Sequence, residues 1–540
     1  MVSFHHTRPV LLSLAAFIGL AVLHTWPLAA APSHWSRIDG DGGLNTWAVS
    51  WVAHALLHDP SRLFDANIFH PHRQTLAFSE AMIPQAIFAL PVVALGGNAV
   101  LAYSVSLLAG FALTGWAFCL LTARWTGSWA AGYVAGSLAA FNAFALVNLT
   151  HLQFLHTGFL ALMLFALDRL IAAPRLRDAC WLAAGFVLQA LASIYLMVFS
   201  MFALTLALLA RLAEWRRHAG PLAARLAAAA AIAVVLLLPY LAQYRDVQRS
   251  QRFERSAADA EPASWRNYVS TGATVHYTRW SRELSGSPST SVFPGVVALG
   301  LLIAAIADSE TRRNRHVRMC AVTAIGCVAL SFAPLLPFYP ALHAALPPLQ
   351  SIRAVHRVAQ LMLLMLALLA GFGAVAILRR LGGASGSPAR AAIAIVILLA
   401  VNGEALRAPI GYVWFDGVPK VYDALAAEPT AVIAELPFPM PSQWFLNSPY
   451  MVNSTRHWRP MLNGYSGFRP ASYEASYNAT RGFPSDESII ALHQLGVSHV
   501  VVHRRDNYSL PNNDANPYAG VASIQLVASD DEILIYRLRR

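Results

Sequence analysis

Two aspartates that follow the first apolar run are the residues of this chain best suited to chemistry. Asp39 and Asp41 lie in the segment Asp39-Gly40-Asp41-Gly42-Gly43. Because the glycines let the backbone bend, both carboxylates can face one centre. Two carboxylates suit either general-base catalysis or the binding of a hard divalent cation. The alternative interpretation is an ordinary Asp-Gly turn at the end of a helix.

The segment after the aspartates predicts a helix that carries two histidines. Leu44, Trp47 and Trp51 recur at helical spacing, which indicates a helix lying in the membrane interface with its tryptophans at headgroup depth. His54 and His58 are one turn apart on this helix, a spacing that two metal ligands can use. We expect His54 to take part in substrate binding; the alternative is a solvated or hydrogen-bonded pair of histidines.

Polar residues also occur where other apolar runs meet the outer surface. Glu80 precedes the return of the chain to the membrane, and His151 and Gln153 follow the third apolar run. Arg353 and Arg357 are four residues apart, so we expect them on one face of a helix, where guanidinium groups bind phosphate oxygens. We predict that these residues form a substrate or lipid-phosphate site. The alternatives are a loop carboxylate, helix caps, and arginines that reach lipid headgroups.

A late loop has the composition of a carbohydrate contact. Asn463 and Tyr465 belong to the glycine-rich and aromatic stretch that runs from Met461 to Pro470. Aromatic rings stack on the C–H faces of sugars, while amides hydrogen-bond to the hydroxyl groups. We therefore expect Asn463 and Tyr465 to contact the acceptor or the sugar. An ordered structural loop is the alternative.

Composition identifies a polytopic α-helical membrane protein. Apolar residues make up 56% of the 540 positions and charged residues 12%, with a mean hydropathy of +0.48. The net charge of +11 does not require nucleic acid as a partner, since many arginines stand between apolar runs, as the topology of a membrane protein demands. All four cysteines lie within apolar runs, so no disulfide framework is expected.

The apolar runs predict about eleven transmembrane helices. With about 20 residues for each crossing, and with the first run retained as an anchor, a cytoplasmic N-terminus puts arginine-rich short loops inside. The run 82–95 is too short to cross and is expected to dip into the outer leaflet. The predicted spans are 10–30, 98–121, 128–147, 152–172, 178–192, 195–213, 222–241, 292–308, 318–337, 357–379 and 391–407.

The chain changes character after the last span. We predict a transmembrane domain over 1–408, with large outer loops at 31–81 and 242–291, and a soluble extracytoplasmic α/β domain over 409–540. A helix over 488–495 that ends at Gly496 and is followed by a valine-rich strand is typical of such a domain. Other helix-like or strand-like pieces are 421–427, 431–436, 498–502 and 533–536.

Several of these features together carry a family resemblance. They are the aspartate after the first span, the Trp-x-x-x-Trp helix with its histidine, and the segments Leu63–Pro71, His151–Gln153, Arg353–Arg357 and Asn463–Gly467. On these features the chain resembles bacterial integral-membrane proteins of the GT-C glycosyltransferase superfamily, particularly the uncharacterised and YfhO-like branches. The resemblance extends over most of the chain, and it implies a GT-C-like transmembrane domain.

The resemblance implies an inverting transfer of a sugar from a polyprenyl-phosphate carrier to a glycan, lipid or protein acceptor. The reaction would take place on the outer side of the bacterial cytoplasmic (inner) membrane, in modification of the cell envelope. The general base would be Asp41 or Asp39, and Asp41 is favoured because Gly40-Asp41 better matches the usual Gly-Asp step. Arg353 and Arg357 would hold the carrier phosphate. Some members use a divalent metal and others do not, so Mg²⁺ or Mn²⁺ stays open as a cofactor.

Two other classes of function fit a chain of this composition. A transporter or flippase for lipid-linked saccharides also needs many spans and interfacial arginines. Such proteins place ionisable groups at mid-membrane, whereas the mid-span positions here are almost uniformly apolar. The other alternative is a non-catalytic envelope assembly factor whose outer domain binds a partner or a polysaccharide.

Overall fold

The computed structural model describes residues 7–253, 255–284, 290–382, 386–504 and 516–539. Helices dominate these residues. The helices are α1 Thr7–His24, α2 Asp41–His58, α3 Ile83–Ala94, α4 Ala99–Thr126, α5 Trp129–Ala140, α6 Ala143–Val147, α7 Gly158–Ala172, α8 Leu176–Ala192, α9 Ile194–Ala210, α10 Leu212–Trp215, α11 Ala219–Gln251, α12 Trp265–Tyr268, α13 Thr274–His276, α14 Arg282–Leu284, α15 Val296–Ala307, α16 Ser309–Arg313, α17 Arg315–Ser331, α18 Tyr339–Ala345, α19 Ala359–Leu381, α20 Pro388–Ala405, α21 Asp423–Ala426, α22 Ser448–Asn453, α23 Tyr473–Thr480 and α24 Asp486–Gln494. The strands are β1 Trp35–Ser36, β2 Val413–Trp414, β3 Ile433–Leu436, β4 His499–His503, β5 Ile524–Ser529 and β6 Ile533–Leu538.

Each predicted span contains a helix, and the span 128–147 contains two, α5 and α6; within the described residues seven helical segments are long and apolar enough to cross a membrane. The chain is therefore a polytopic α-helical membrane protein, as predicted. The run 82–95 forms α3, a helix of 12 residues with Pro91 inside it, which is shorter than a bilayer requires. The seven segments are Thr7–His24, Ala99–Thr126, Trp129–Val147, Leu152–Ala172, Leu212–Gln251, Val355–Leu381 and Pro388–Ala405.

Packing divides the chain into two compact units. The first comprises Met1–Ala30, Ser106–Pro239 and Glu254–Gly411. The second comprises Ala31–Val105, Tyr240–Phe253 and Tyr412–Arg540. The second unit thus includes residues 31–81, which were predicted to form the first outer loop, together with the C-terminal residues. The predicted domain boundary near residue 408 was based on where the membrane-length runs stop, and it stays a prediction.

In the first unit, α19 is the central helix. It is buried along most of its length and packs against α5, α15 and α17. Glycines allow this close approach: a Cβ at Gly373 would lie 1.9 Å from the carbonyl oxygen of Leu301, and a Cβ at Gly371 would lie 3.1 Å from that of Ala131. Small residues at helix contacts are the usual way in which membrane helices bring their backbones together.

In the second unit, a four-stranded sheet has the order β3-β4-β6-β5. Strands β3 and β4 are parallel, while β6 is antiparallel to both of its neighbours. Helix α24 precedes β4 and is followed by Gly496 at φ +79°, a left-handed conformation that favours glycine. The predicted αβ pattern of the C-terminal segment is therefore confirmed.

Helix α2 differs from the interfacial helix that the sequence predicts. Its residues from Gly42 to Ala53 are all buried, and the side chains of Trp47 and Trp51 are only 1% and 8% exposed. Their indole N–H groups donate to Asn67 Oδ1 at 3.0 Å and to the Leu63 carbonyl at 2.9 Å. The prediction that these tryptophans lie among lipid headgroups is wrong, because protein surrounds both of them.

Candidate active site

The second unit places Asp41 at the first residue of α2. Gly40, just before it, has φ +51° and ψ −114°, a backbone conformation that other residues rarely adopt. A Cβ at Gly43 would lie 2.7 Å from Ser448 Cβ and 2.8 Å from the Ile38 carbonyl oxygen, so only glycine fits there. The two glycines thus fix the direction in which α2 leaves the loop, and with it the position of the half-buried Asp41 carboxylate.

Asp41 and Tyr465, which were singled out separately in the sequence, meet in the structure. The Tyr465 hydroxyl donates a hydrogen bond of 2.7 Å to Asp41 Oδ1. Trp444 packs edge-on against the Tyr465 ring, with 4.9 Å between the ring centroids. Asp39, by contrast, is exposed and precedes the helix. Sequence reasoning missed Trp444, since an isolated tryptophan in a loop carries no signal of its own.

Asn463 supports the Tyr465 loop from inside the fold. Its side chain is 0% exposed, and its Oδ1 accepts from the Glu435 backbone N–H at 2.8 Å. Its Nδ2 donates to the Glu435 carbonyl and to Asn447 Oδ1, both at 3.0 Å. The Asn463 side-chain amide therefore pairs with the backbone of β3 as a neighbouring strand would, and this pairing ties the loop to the strand. The predicted contact between Asn463 and a sugar would require the loop to open.

We expect Asn463→Ala to destabilise the protein by about 2–4 kcal/mol, because the buried N–H and carbonyl of Glu435 and the amide oxygen of Asn447 would each lose a hydrogen bond. Chemical denaturation of the full chain in detergent, followed by near-UV circular dichroism, measures this change. Asn478→Ala, at an exposed position of α23, is the matched control. A variant with unchanged stability would contradict the structural role and favour a direct contact with substrate.

Glu80 lies in a turn that is fixed by a tyrosine of α11. The Tyr244 hydroxyl donates to the Ser79 carbonyl at 3.0 Å and accepts from the Ala81 N–H at 3.1 Å. The residues on both sides of Glu80 are therefore held in place, and the Glu80 side chain is half-buried. Its predicted part in substrate binding stays a prediction.

His54 stands well away from Asp41 along the same helix. At about 1.5 Å per residue, the 13 residue steps from Asp41 to His54 correspond to about 20 Å. Its ring stacks on Trp458, with 4.5 Å between the centroids and 16° between the planes, and it also contacts His58 at 4.3 Å. Burial, and secondarily the neighbouring His58, lowers the pKa of His54 to about 4. His54 is therefore neutral at pH 7, beside a cavity and remote from the Asp41 carboxylate.

In the first unit, Arg357 and His151 lie together. Arg357 Nη2 is 3.5 Å from His151 Nε2, and the guanidinium carbon lies 5.0 Å from the centroid of Phe154 and 5.7 Å from that of Tyr195. Among the described residues Arg357 has no acidic partner. A half-buried cation held by aromatic rings and a histidine is well suited to bind an anion.

Arg353 is not on one helical face with Arg357, so this prediction is wrong. Residues Val355–Val358 form a 3₁₀ turn, and α19 begins only at Ala359. Arg353 therefore points elsewhere: its side chain is 57% exposed and its Nε lies 3.2 Å from Glu261 Oε1. The Arg353 N–H nevertheless donates to the Tyr195 hydroxyl at 3.2 Å, so the backbone at Arg353 helps to fix the ring beneath Arg357.

Gln153 is close in sequence to both His151 and Phe154. Its half-buried side chain has a buried oxygen, Oε1, with no hydrogen-bond partner among the described residues. Such a group usually awaits water or a ligand. The assignment of Gln153 to a substrate site stays a prediction.

A divalent metal finds no ligand set in the described parts of the chain. Within residues 7–253, 255–284, 290–382, 386–504 and 516–539, no three His, Cys, Asp or Glu side chains come together in a way that could hold a metal ion. The Asp41 carboxylate accepts a hydrogen bond from the Tyr465 hydroxyl.

The sequence matches no protein-family model and no curated protein. The structure is similar to that of the arabinofuranosyltransferase AftD from Mycobacteria, with a TM-score of 0.56 and 16% identity over 100% of this chain. A mutant of AftD, R1389S, matches with a TM-score of 0.57 and 16% identity, also over the whole chain. The chain spans only 40% and 42% of the length of these proteins. The chain has a GT-C fold.

A more distant likeness is to the oligosaccharyltransferase AglB from Archaeoglobus fulgidus, with a TM-score of 0.47 and 14% identity over 93% of this chain and 70% of AglB. The long apolar helices of the described residues confirm the prediction of a multi-pass membrane protein. The likeness to AftD shows the fold alone, since one fold hosts many activities. The YfhO-like branch stays a prediction.

Proposed function

We propose that the chain is a membrane glycosyltransferase that moves a sugar from a polyprenyl-phosphate carrier to an extracytoplasmic glycan, lipid or protein acceptor. The hydrogen bond of 2.7 Å between Tyr465 and Asp41 carries this proposal, because it joins the favoured base to the loop that was assigned to the sugar. The GT-C fold supports it by analogy. The proposed setting is the bacterial cytoplasmic membrane, with the N-terminus inside and the C-terminal domain outside.

Asp41 is the proposed general base. Its carboxylate takes the proton of the acceptor hydroxyl as the hydroxyl oxygen attacks the anomeric carbon of the donor sugar. The hydrogen bond from Tyr465 holds Oδ1 in place and favours the ionised carboxylate.

Arg357 is the proposed ligand of the carrier phosphate. When the bond between the sugar and the phosphate breaks, the electron pair goes to the phosphate oxygen, and the guanidinium group stabilises the resulting charge. Attack opposite the departing phosphate gives inversion at the anomeric carbon. His151, which lies beside Arg357, is proposed to hydrogen-bond to the same phosphate or to the sugar.

The experiment that tests the function uses the purified full chain in proteoliposomes. Polyprenyl-phosphate arabinofuranose and polyprenyl-phosphate mannose, labelled in the sugar, are supplied together with cell-envelope glycan as acceptor. We expect label in a new glycosidic bond, with inverted anomeric configuration by NMR. Translocation of intact donor without bond formation would support the flippase instead, and retention of configuration would contradict the proposed single displacement.

We expect Tyr465→Phe to lower kcat by about 10-fold to 100-fold, because a hydrogen bond to a charged group contributes about 1.5–3 kcal/mol. The Phe ring keeps the contact with Trp444, so KM for the donor should change little. Steady-state kinetics with a range of donor concentrations separates the two constants. The matched control is Tyr477→Phe, at a half-buried tyrosine of α23. Equal kcat values for Tyr465→Phe and the wild type would remove Tyr465 from the mechanism.

A further inference from the structure

The second unit contains a cavity that the proposed transfer does not use. It has a volume of about 490 Å³ and is lined by the C-terminal half of α2, by the loop that follows it and by Trp458–Pro460. This volume lies in the range of about 300–1,000 Å³ that is usual for small-molecule sites. The Asp41 carboxylate is about 20 Å away at the start of α2. A ligand in this cavity therefore has its own set of contacts.

One wall of the cavity is aromatic. Trp458 stacks on His54 and meets Trp51 edge-on, with 5.7 Å and 64° between the two indole rings. Trp458 has φ +55°, a left-handed conformation that is rare for a bulky residue. Strain of this kind persists where the surrounding structure enforces it, and such residues cluster at ligand sites. The backbone is thus held in an unfavourable conformation at Trp458, the residue that faces the cavity.

His54 adds hydrogen-bonding capacity to this wall. Its ring makes no side-chain hydrogen bond to any described residue, although it is neutral at pH 7 and carries one donor and one acceptor nitrogen. His58 is different, since its Nδ1 donates to the His54 carbonyl at 2.9 Å. A stacked aromatic surface beside an imidazole with unused polar atoms is a typical arrangement for sugar binding.

The rim of the cavity is positively charged. Arg62 and Arg73 are 67% and 81% exposed, and they lie 4.0 and 3.9 Å from the same carboxylate, that of Asp65. Ion pairs of this length that involve exposed arginines are weak. Asp65 also accepts a hydrogen bond of 3.0 Å from the backbone N–H of Gln74. Two arginines therefore share one acid, and the remaining charged residues of the lining, Asp59 and Arg459, offset each other.

We propose that this cavity binds an acidic saccharide, with a sugar ring against Trp458, hydroxyl groups bonded to His54, and a carboxylate or phosphate at Arg62 and Arg73. This binding site is independent of the proposed transfer reaction. It would hold a segment of charged envelope glycan on the second unit, whether or not that glycan is also the acceptor.

Isothermal titration calorimetry of the full chain tests the proposal, in a detergent without a sugar headgroup and without any lipid-linked donor. The probes are trigalacturonic acid, maltotriose and inorganic phosphate. We expect trigalacturonic acid to bind with a Kd at least tenfold lower than that of maltotriose, and added NaCl to weaken its binding. Inorganic phosphate should bind far more weakly, because it makes no contact with the aromatic wall.

Variants locate the binding. Trp458→Ala should raise the Kd for trigalacturonic acid about tenfold. The double variant Arg62→Gln and Arg73→Gln, which changes only exposed side chains, should leave the two trisaccharides with similar Kd values. Arg249→Gln, at an exposed arginine of α11 outside the cavity, should behave as the wild type.

Four results would overturn the proposal: no binding of trigalacturonic acid, equal affinity of the wild type for the two trisaccharides, phosphate binding as tight as that of trigalacturonic acid, or wild-type behaviour of the double arginine variant. Because no donor is present, a failure here is distinct from a failure of sugar transfer. Loss of transfer with intact saccharide binding would refute only the proposed function.

Discussion

Asp41→Asn is expected to lower kcat for sugar transfer by about 10²–10⁴-fold, which is the range that a positioned general base contributes. The asparagine keeps the size of the side chain and can still accept a hydrogen bond from Tyr465, so the position at the start of α2 should be preserved. What it loses is the basic carboxylate. The kinetics of single turnover, measured with saturating donor, isolate this loss from any change in binding.

Asp39→Asn is the matched control for this prediction. Asp39 is only two residues away and has the same chemistry, but it is exposed and lies outside the helix. We expect a change in kcat of less than about threefold, as for a surface carboxylate that is not in the reaction. A large loss for Asp39→Asn together with a small loss for Asp41→Asn would reverse the assignment. Full activity of both variants would eliminate an aspartate base from this loop.

The sequence predicted the elements of the site better than their partners. Gly40-Asp41 and the helical spacing of Leu44, Trp47 and Trp51 are local signals, and they correctly indicated a helix after the aspartates. The hydrogen bond from Tyr465 joins residues that are 424 positions apart. No periodicity within one sequence contains that information, since contacts of such separation depend on how the whole unit folds.

The burial of α2 shows that the spacing of its apolar residues was misinterpreted as that of an interfacial helix. The helical spacing of Leu44, Trp47 and Trp51 predicts a helix in the membrane interface, because aromatic residues on one face of an amphipathic helix are typical of a membrane surface. The other faces carry Gly43 and Ala53, which are small and let neighbouring segments approach. A helix that is apolar or small on all sides belongs in the interior of a protein.

The two arginines show the limit of inference from spacing. An interval of four places residues on one face only if the intervening backbone is α-helical. The 3₁₀ turn Val355–Val358 breaks that condition, so Arg353 and Arg357 separate. The ring of Tyr195, which belongs to another helix, contacts Arg357, and this contact has no sequence signal near position 357.

This separation leads to the second large prediction. Arg357→Gln should lower kcat/KM for the polyprenyl-phosphate donor by about 10²–10³-fold, which is the usual effect of removing one donor to a developing oxyanion. The kcat/KM of Arg357→Lys should lie between those of the wild type and Arg357→Gln, because lysine keeps the charge but cannot form the bidentate contact. Arg353→Gln, which removes an exposed arginine already paired with Glu261, should change kcat/KM by less than about threefold.

The reason for this difference lies in what each guanidinium group already contacts. Arg357 is half-buried against Phe154 and Tyr195 and has no carboxylate beside it in the described part of the chain, so an incoming phosphate has no acid to displace. A phosphate at Arg353 must compete with Glu261 and with water. Equal losses of kcat/KM for Arg353→Gln and Arg357→Gln would contradict this distinction and would favour general electrostatic attraction of the donor. In that case, kcat/KM measured against salt concentration would show parallel slopes for both variants.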